Sequence, residues 1–150
     1  MRLAFICTGN ICRSPIAALV VGEHLRRAGL DDVEVTSAGT GAWHVGEPAD
    51  SRAQKVLLDH GYPAEHMAAQ VGPEHLAADL LLAMDTGHYR ALRGMTDPDK
   101  VRMFRSFDPD AGTDLNVPDP YYDGVDDFEV VLRMIEAATP GLIQWVRENL

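Results

Sequence analysis

The chain opens on a stretch, residues 2–6, that is apolar without a break after Arg2, too short for a helix and without polar alternation, which predicts a buried strand. Ser14 and Pro15 then read as the cap and first position of a helix, Ala17, Val21, Leu25 and Ala28 recur at helical spacing, and Gly29 ends it. Residues 33–37 are predicted as a second strand, which ends in the turn residues Gly39-Thr40-Gly41. Asp50 caps a second helix that runs to Leu58, before Gly61 and Pro63. A third strand is predicted over residues 80–84. Asp85 caps a helix ended by Gly94, and residues 101–104 form a fourth strand. A loop rich in Pro and Asp spans residues 108–126. It leads into a long amphipathic helix with Phe128, Val131, Leu132 and Ile135 on one face, which Thr139-Pro140-Gly141 is expected to kink or split before Trp145.

This alternation of strand and helix predicts an α/β sandwich around a parallel sheet. No internal repeat, low-complexity tract or linker divides the chain, so residues 1–150 are read as one domain. Ligands in such sheets bind outside the carboxyl ends of the strands, where the strand order reverses. Cys7, at the end of the first strand, stands at that mouth.

Composition changes this picture little. With 46% hydrophobic and 24% charged residues, the 150-residue chain has material for a core and is not of a disordered class. No apolar run reaches the roughly 18 residues of a membrane span. The apolar start is too short for an export leader, so the expected location is the cytoplasm. Charge adds more. The net charge of −10 argues against nucleic-acid binding, yet the acid is uneven. Residues 107–136 hold nine acids against Arg133 alone, whereas residues 1–30 hold four arginines against Glu23 alone. An anionic ligand is better received near the N-terminus than the global charge suggests.

The candidate chemistry lies there, in CTGNICRSP (residues 7–15). Between strand and helix the chain must turn, and Gly9 and Asn10 are the residues that tolerate left-handed backbone angles. Such a turn aims successive amide N–H groups into one concavity, and the helix N-terminus adds partial positive charge. Arg13 supplies a planar fork for a tetrahedral oxyanion such as phosphate or arsenate. The same field favours a thiolate at Cys7, and a Ser14 hydroxyl is placed to hydrogen-bond the sulfur. A thiolate beneath a bound phosphate attacks phosphorus and forms a phosphocysteine. The competing readings are a buried inert thiol at Cys7 and half of a metal site in Cys7 and Cys12. Scattered histidines and the cationic Arg13 argue against the metal, and two cysteines five positions apart are a poor disulfide framework. No metal and no cofactor is expected.

Cys7-Thr8-Gly9-Asn10-Ile11-Cys12-Arg13-Ser14-Pro15 resembles the signature loop of the low-molecular-weight protein tyrosine phosphatases. Thr36-Ser37-Ala38-Gly39-Thr40, Asp119-Pro120-Tyr121-Tyr122 and the chain length extend the likeness over the whole sequence. Trp43-His44-Val45-Gly46-Glu47-Pro48 is similar to bacterial, particularly actinobacterial, members. The resemblance implies a three-layer sandwich with a central four-stranded parallel sheet of order 2-1-3-4 and helices on both faces. It implies a phosphotyrosine-protein phosphatase with Cys7 as nucleophile, Arg13 on the phosphate, and Asp119 as the acid and base on the opposite side of the substrate. Thr8, Gly9, Asn10, Ile11, Cys12 and Ser14 are then the phosphate-binding loop, with Trp43, Tyr121 and Tyr122 as walls of an aromatic slot. Ser37 and His66 match positions that hold Asn10 in its unusual conformation. Cys12 lies across the loop from Cys7, where it is read either as the partner for a reversible disulfide or as a small hydrophobe under the loop, and Tyr121 and Tyr122 match sites of phosphorylation.

The implied partners are tyrosine-phosphorylated proteins, with no nucleic acid or membrane, and the expected state is a monomer. Two other functions use such a loop: an arsenate reductase, which with no cysteine after Cys12 needs an external thiol, and a non-catalytic phosphotyrosine-binding module, which has no use for Asp119 as an acid.

Overall fold

Strand β1 (Arg2–Cys7) is buried from Leu3 onward because it lies inside a sheet covered on both faces. The computed structural model describes residues 1–150. After β1 come α1 (Arg13–Arg27), β2 (Glu34–Gly39), α2 (Ser51–Asp59), α3 (Pro73–Leu76), β3 (Leu80–Ala83), α4 (Thr86–Arg93), β4 (Val101–Met103) and α5 (Val125–Asn149). The four strands are all parallel, in the order β2-β1-β3-β4. Three-residue and four-residue 3₁₀ turns flank β4 at Pro98–Lys100 and Phe104–Phe107.

The period-2 geometry of β1 and β3 separates two cores. Leu3, Phe5, Leu80 and Leu82 face the larger one, which α1, α2 and α5 cover. Ala4, Ile6, Leu81 and Ala83 face the smaller one, beside Leu92 of α4. Phe5 meets Phe104 edge to face, ring centroids 5.3 Å apart, and both are fully buried. Burial of each is worth roughly 2–3 kcal/mol relative to exposure. No helix is long and apolar enough to cross a membrane.

Two expectations about helix ends are corrected. Helix α1 begins at Arg13, its N-cap is Cys12 without a side-chain cap bond, and Ser14 lies inside the first turn. The Ser14 hydroxyl is taken up by Cys7 and Asn10, so it is not available to cap. Helix α5 runs unbroken through Pro140. The proline is exposed, where water can take the carbonyl that it leaves unpaired. Core residues lie on both sides of it, Phe128 to Ala138 before and Leu142 and Val146 after, which binds the two halves to one hydrophobic face. Gly141 makes the close approach possible: a Cβ there would lie 2.1 Å from the Phe107 carbonyl oxygen. The four-residue α3, which no periodicity announces, starts from Gly72 with Pro73 at its first position.

The chain leaves β1 for β2 on one side and later crosses to β3 on the other. The reversal of strand order therefore opens a crevice between the carboxyl ends of β1 and β3. The loop from Cys7 to Arg13 rises from one lip of it, and Asp85, the N-cap of α4, from the other.

Candidate active site

Between the end of β1 and the start of α1, the amide N–H groups of Thr8, Gly9, Asn10, Ile11 and Cys12 donate to nothing within the protein. Five successive free donors next to a helix N-terminus form a cradle for an oxyanion. Asn10 holds the loop open. It alone among the non-glycine residues has positive φ, at +57°, whereas Gly9 does not need that freedom. Its side chain donates to Ser14 Oγ (2.7 Å) and Ser37 Oγ (3.0 Å) and accepts from Ala69 N (2.9 Å). Its carbonyl accepts from His66 Nε2 at 2.7 Å. Burial lowers the pKa of His66, against the pull of that hydrogen bond, so the ring is neutral with its proton on Nε2. Because Ser14 Oγ accepts from Asn10, its own proton is free for Cys7 Sγ, 2.9 Å away.

Arg13 is 3% exposed and enters the crevice from the first turn of α1. Its Nη1 donates to Asp85 Oδ2 (2.9 Å) and the Val117 carbonyl (3.0 Å). Its Nη2 donates to Thr8 Oγ1 (3.3 Å) and stands 3.6 Å from Asp119 Oδ2. One edge of the guanidinium is thus pinned and the other is turned towards the cradle. Burial by itself would raise the Asp85 carboxyl, but the His88 N–H and the Arg13 guanidinium outweigh it and hold the pKa below the ordinary 3.8. His88 completes a ring of contacts with Nε2 2.8 Å from Thr8 Oγ1. Its Nδ1 is buried without a well-directed partner, Asp85 Oδ1 lying 3.2 Å away. Burial lowers its pKa to about 4 despite Asp85, so His88 is neutral at pH 7.

Above the loop is a cavity of about 440 Å³ with Cys7, Cys12 and Arg13 among the residues of its floor. Trp43, His44, Tyr121 and Tyr122 are among its walls; the two tyrosines meet edge to face with centroids 4.9 Å apart, and the His44 ring lies 6.1 Å from that of Tyr121. Trp43 lies across the bare face of Gly41, where a Cβ would fall 1.8 Å from the indole. That glycine lets the ring lie flat at the mouth, 75% exposed. Asp119, also in the wall, accepts from Tyr121 N through Oδ1 at 3.0 Å. Burial, and next the nearby Asp50 carboxylate, push the Cys12 thiol far above the ordinary range, so it is protonated at neutral pH. Both cysteines are free.

The structure thus brings together every residue named from the sequence. Cys7, Thr8, Gly9, Ile11, Cys12, Arg13, Trp43, Asp119, Tyr121 and Tyr122 line the cavity. Asn10, Ser14, Ser37 and His66 form the hydrogen-bonded support beneath it. Sequence reasoning missed Asp85 as the anchor of Arg13, together with His88, the Val117 carbonyl and His44. The signal for the first two was an Asp-x-x-His at the end of the third strand, across the crevice from Cys7.

The family model for low molecular weight phosphotyrosine protein phosphatase matches residues 2–150. The chain is 58% identical over 153 residues to low molecular weight protein-tyrosine phosphatase A of Mycobacterium tuberculosis, covering 100% of this chain and 94% of that protein. It is 52% identical over 156 residues to a low molecular weight protein-tyrosine-phosphatase of Streptomyces coelicolor, covering 99% and 95%. The crystal structure of a protein tyrosine phosphatase from Entamoeba histolytica superposes with a TM-score of 0.94 at 34% identity, over 99% of this chain and 98% of that one. A thiol over free amides, an arginine pinned across the crevice, a carboxylate at the rim and these likenesses agree: the chain belongs to the low molecular weight phosphotyrosine protein phosphatase family, on its actinobacterial branch.

Proposed function

We propose that the protein is a phosphotyrosine-protein phosphatase that hydrolyses aryl phosphate monoesters through a phosphocysteine on Cys7. The observation that carries this reading is the run of five unpartnered amides beside the Cys7 thiol, with Arg13 anchored in the same cavity by Asp85, the Val117 carbonyl and Thr8. The phosphoryl oxygens accept from the amides and the guanidinium, and the Cys7 thiolate attacks phosphorus from below. The Ser14 hydroxyl, 2.9 Å from the sulfur, steadies the thiolate before attack and as the leaving group in the second step.

Asp119 stands on the far side and gives its proton to the departing phenol oxygen. As a carboxylate it then takes a proton from the water that hydrolyses the phosphocysteine, which returns Cys7 and releases phosphate. The aromatic walls at Trp43, Tyr121 and Tyr122 suit a flat ring held with its phosphate deep in the cradle. A serine phosphate, on a shorter stem, does not reach the floor. Cys12 is placed to protect the nucleophile. Peroxide turns the Cys7 thiolate into a sulfenic acid, and the Cys12 sulfur displaces water from it to leave a disulfide that thiols reverse.

Tyrosine-phosphorylated proteins are the partners, and a monomer is sufficient because one chain supplies the whole pocket. The match over residues 2–150 supports one phosphatase domain. Two unpaired cysteines support work in the reducing cytoplasm. With both cysteines in the one loop, an arsenate reductase would depend on an external thiol.

Turnover of a phosphotyrosine peptide by the protein, Cys7→Ser and Asp119→Asn tests the reading. Cys7→Ser is expected to fold and to lose activity by at least ~10³-fold, and Asp119→Asn by ~10²-fold or more. A Cys7→Ser protein with near-normal turnover would overturn the mechanism. Binding of the peptide without turnover by the wild-type chain would make it a binding module instead.

A further inference from the structure

We propose that Asp50 and Arg52, at the start of α2, form a clasp that positions the loop carrying Asp119 over Cys7. This inference rests on the phosphatase reading, and no catalytic contact is asked of either residue. Arg52 Nε and Nη2 donate to the two carboxylate oxygens of Asp50, at 3.0 and 2.9 Å. The same Nη2 donates to the Tyr121 carbonyl at 2.9 Å, and Nη1 donates to the Asp123 carbonyl at 2.8 Å. The guanidinium lies over the buried Phe128 ring in the first turns of α5, Cζ being 4.7 Å from the centroid.

These contacts matter because the loop has little else. Residues 118–124 make local hydrogen bonds, from Tyr121 N to Asp119, from Asp123 N to Pro120 and from Gly124 N to Asp127. The only hydrogen bonds that reach them from elsewhere in the chain come from Arg52. Tyr121, which Arg52 holds by its carbonyl, is also the residue whose N–H holds Asp119 Oδ1, so the clasp acts on the carboxylate through that one residue. The other end of the clasp is rooted in the phosphate cradle, since Asp50 N donates to the Ile11 carbonyl at 2.9 Å. Cradle and acid loop are therefore tied through this pair of side chains, in addition to the 3.6 Å ion pair between Arg13 and Asp119.

Asp50 has a further part in this. Its hydrogen bonds from the Arg52 side chain hold its carboxyl below the ordinary pKa of 3.8, so it stays ionised and keeps the fork aimed at the two carbonyls. Without it, the guanidinium would keep the two carbonyls but lose the carboxylate that aligns its Nε and Nη2. Lysine cannot substitute, because a point charge does not hold a carboxylate and two carbonyls in fixed directions at once.

Arg52→Ala and Arg52→Lys test the clasp, the second keeping charge and an aliphatic stem against Phe128. Three readouts are compared with wild type: amide hydrogen exchange over residues 120–124, single-turnover release of the leaving group, and inhibition by inorganic phosphate. Exchange in the loop should rise ~10-fold or more, since it loses its external bonds. Release of tyrosine from phosphotyrosine, a basic leaving group, should slow by ~10-fold or more, and release of p-nitrophenol by only ~2-fold to 3-fold. The phosphate inhibition constant should stay within ~2-fold, because phosphate meets the cradle alone. Equal slowing for both leaving groups, weakened phosphate inhibition or unchanged exchange in the loop would each overturn the clasp. A wild-type protein with no turnover would sink the phosphatase reading separately, and the exchange measurement would still decide whether Arg52 holds the loop.

Discussion

Asn10 concentrates the physical problem of the site in one residue. A left-handed backbone at a non-glycine position costs roughly 1–2 kcal/mol, and here it serves to leave neighbouring amides without partners in the chain. The offset comes from four hydrogen bonds, to Ser14, Ser37, Ala69 and His66, three of them through the side chain. Strain and bonding are separable by substitution. Asn10→Ala keeps the strained angle and loses the side-chain bonds, and it should destabilise the protein by about 2–4 kcal/mol. Asn10→Gly loses the same bonds but relieves the strain, so it should recover about 1 kcal/mol of that loss. Both should turn over slowly, because Ser14 then has no donor directing its own proton to Cys7. Chemical denaturation and steady-state kinetics on the two variants check this. Wild-type activity in Asn10→Gly would mean that backbone freedom is all the cradle requires.

Among the elements, α5 shows what pattern reasoning reads and what it does not. Unbroken apolar runs placed β1 and β3, and period and capping residues placed the helices within a residue or two, because burial on both faces leaves a plain trace in composition. Pro140 misled because propensity knows the lost N–H but not the packing on either side of it. Ser14 misled because Ser-Pro is a helix-start signature, while its actual partners, Cys7 and Asn10, are visible only once the loop has closed. The cradle was legible because Cys7 and Arg13 are close in sequence and their chemistry is specific. Arg52 was not, since its loop partners are two backbone carbonyls 69 and 71 residues away, and carbonyls carry no residue signature. The α5 account has a direct check in thermal unfolding. Pro140→Ala restores an N–H in an exposed helix interior and should stabilise by about 1 kcal/mol or more. Gly141→Ala drives a methyl into the Phe107 carbonyl and should destabilise by about 1–3 kcal/mol. A stabilising Gly141→Ala would show that α5 and the Phe104–Phe107 turn are free to move apart.

For the whole molecule, two electrostatic effects compete as pH falls. The net charge of −10 at pH 7 means that self-repulsion shrinks on approach to the isoelectric point near 4.8, which favours the folded state. Against this, His66 and His88 are buried with lowered pKa values, His88 falling from 6.5 to about 4. The unfolded chain takes up their protons first, so their contribution is full above pH 6.5. It is lost progressively below that value, for His88 down to about pH 4. Asp50 and Asp85 have lowered values, and their contribution is present above the ordinary 3.8 and lost below it. Most of the surface acids are exposed and screened within about 8 Å at physiological salt, whereas His88 is 4% exposed and titrates beside Arg13. The buried histidines should therefore win, and the Tm should be highest above pH 6.5, not at the isoelectric point. A melting series at constant ionic strength should show Tm falling from pH 7 to pH 4.5 and more steeply below 3.8. His88→Asn, which removes the titrating ring, should flatten the first of these slopes and leave the second. A Tm maximum near pH 4.8 would instead mean that repulsion among the surface acids governs the stability of the fold.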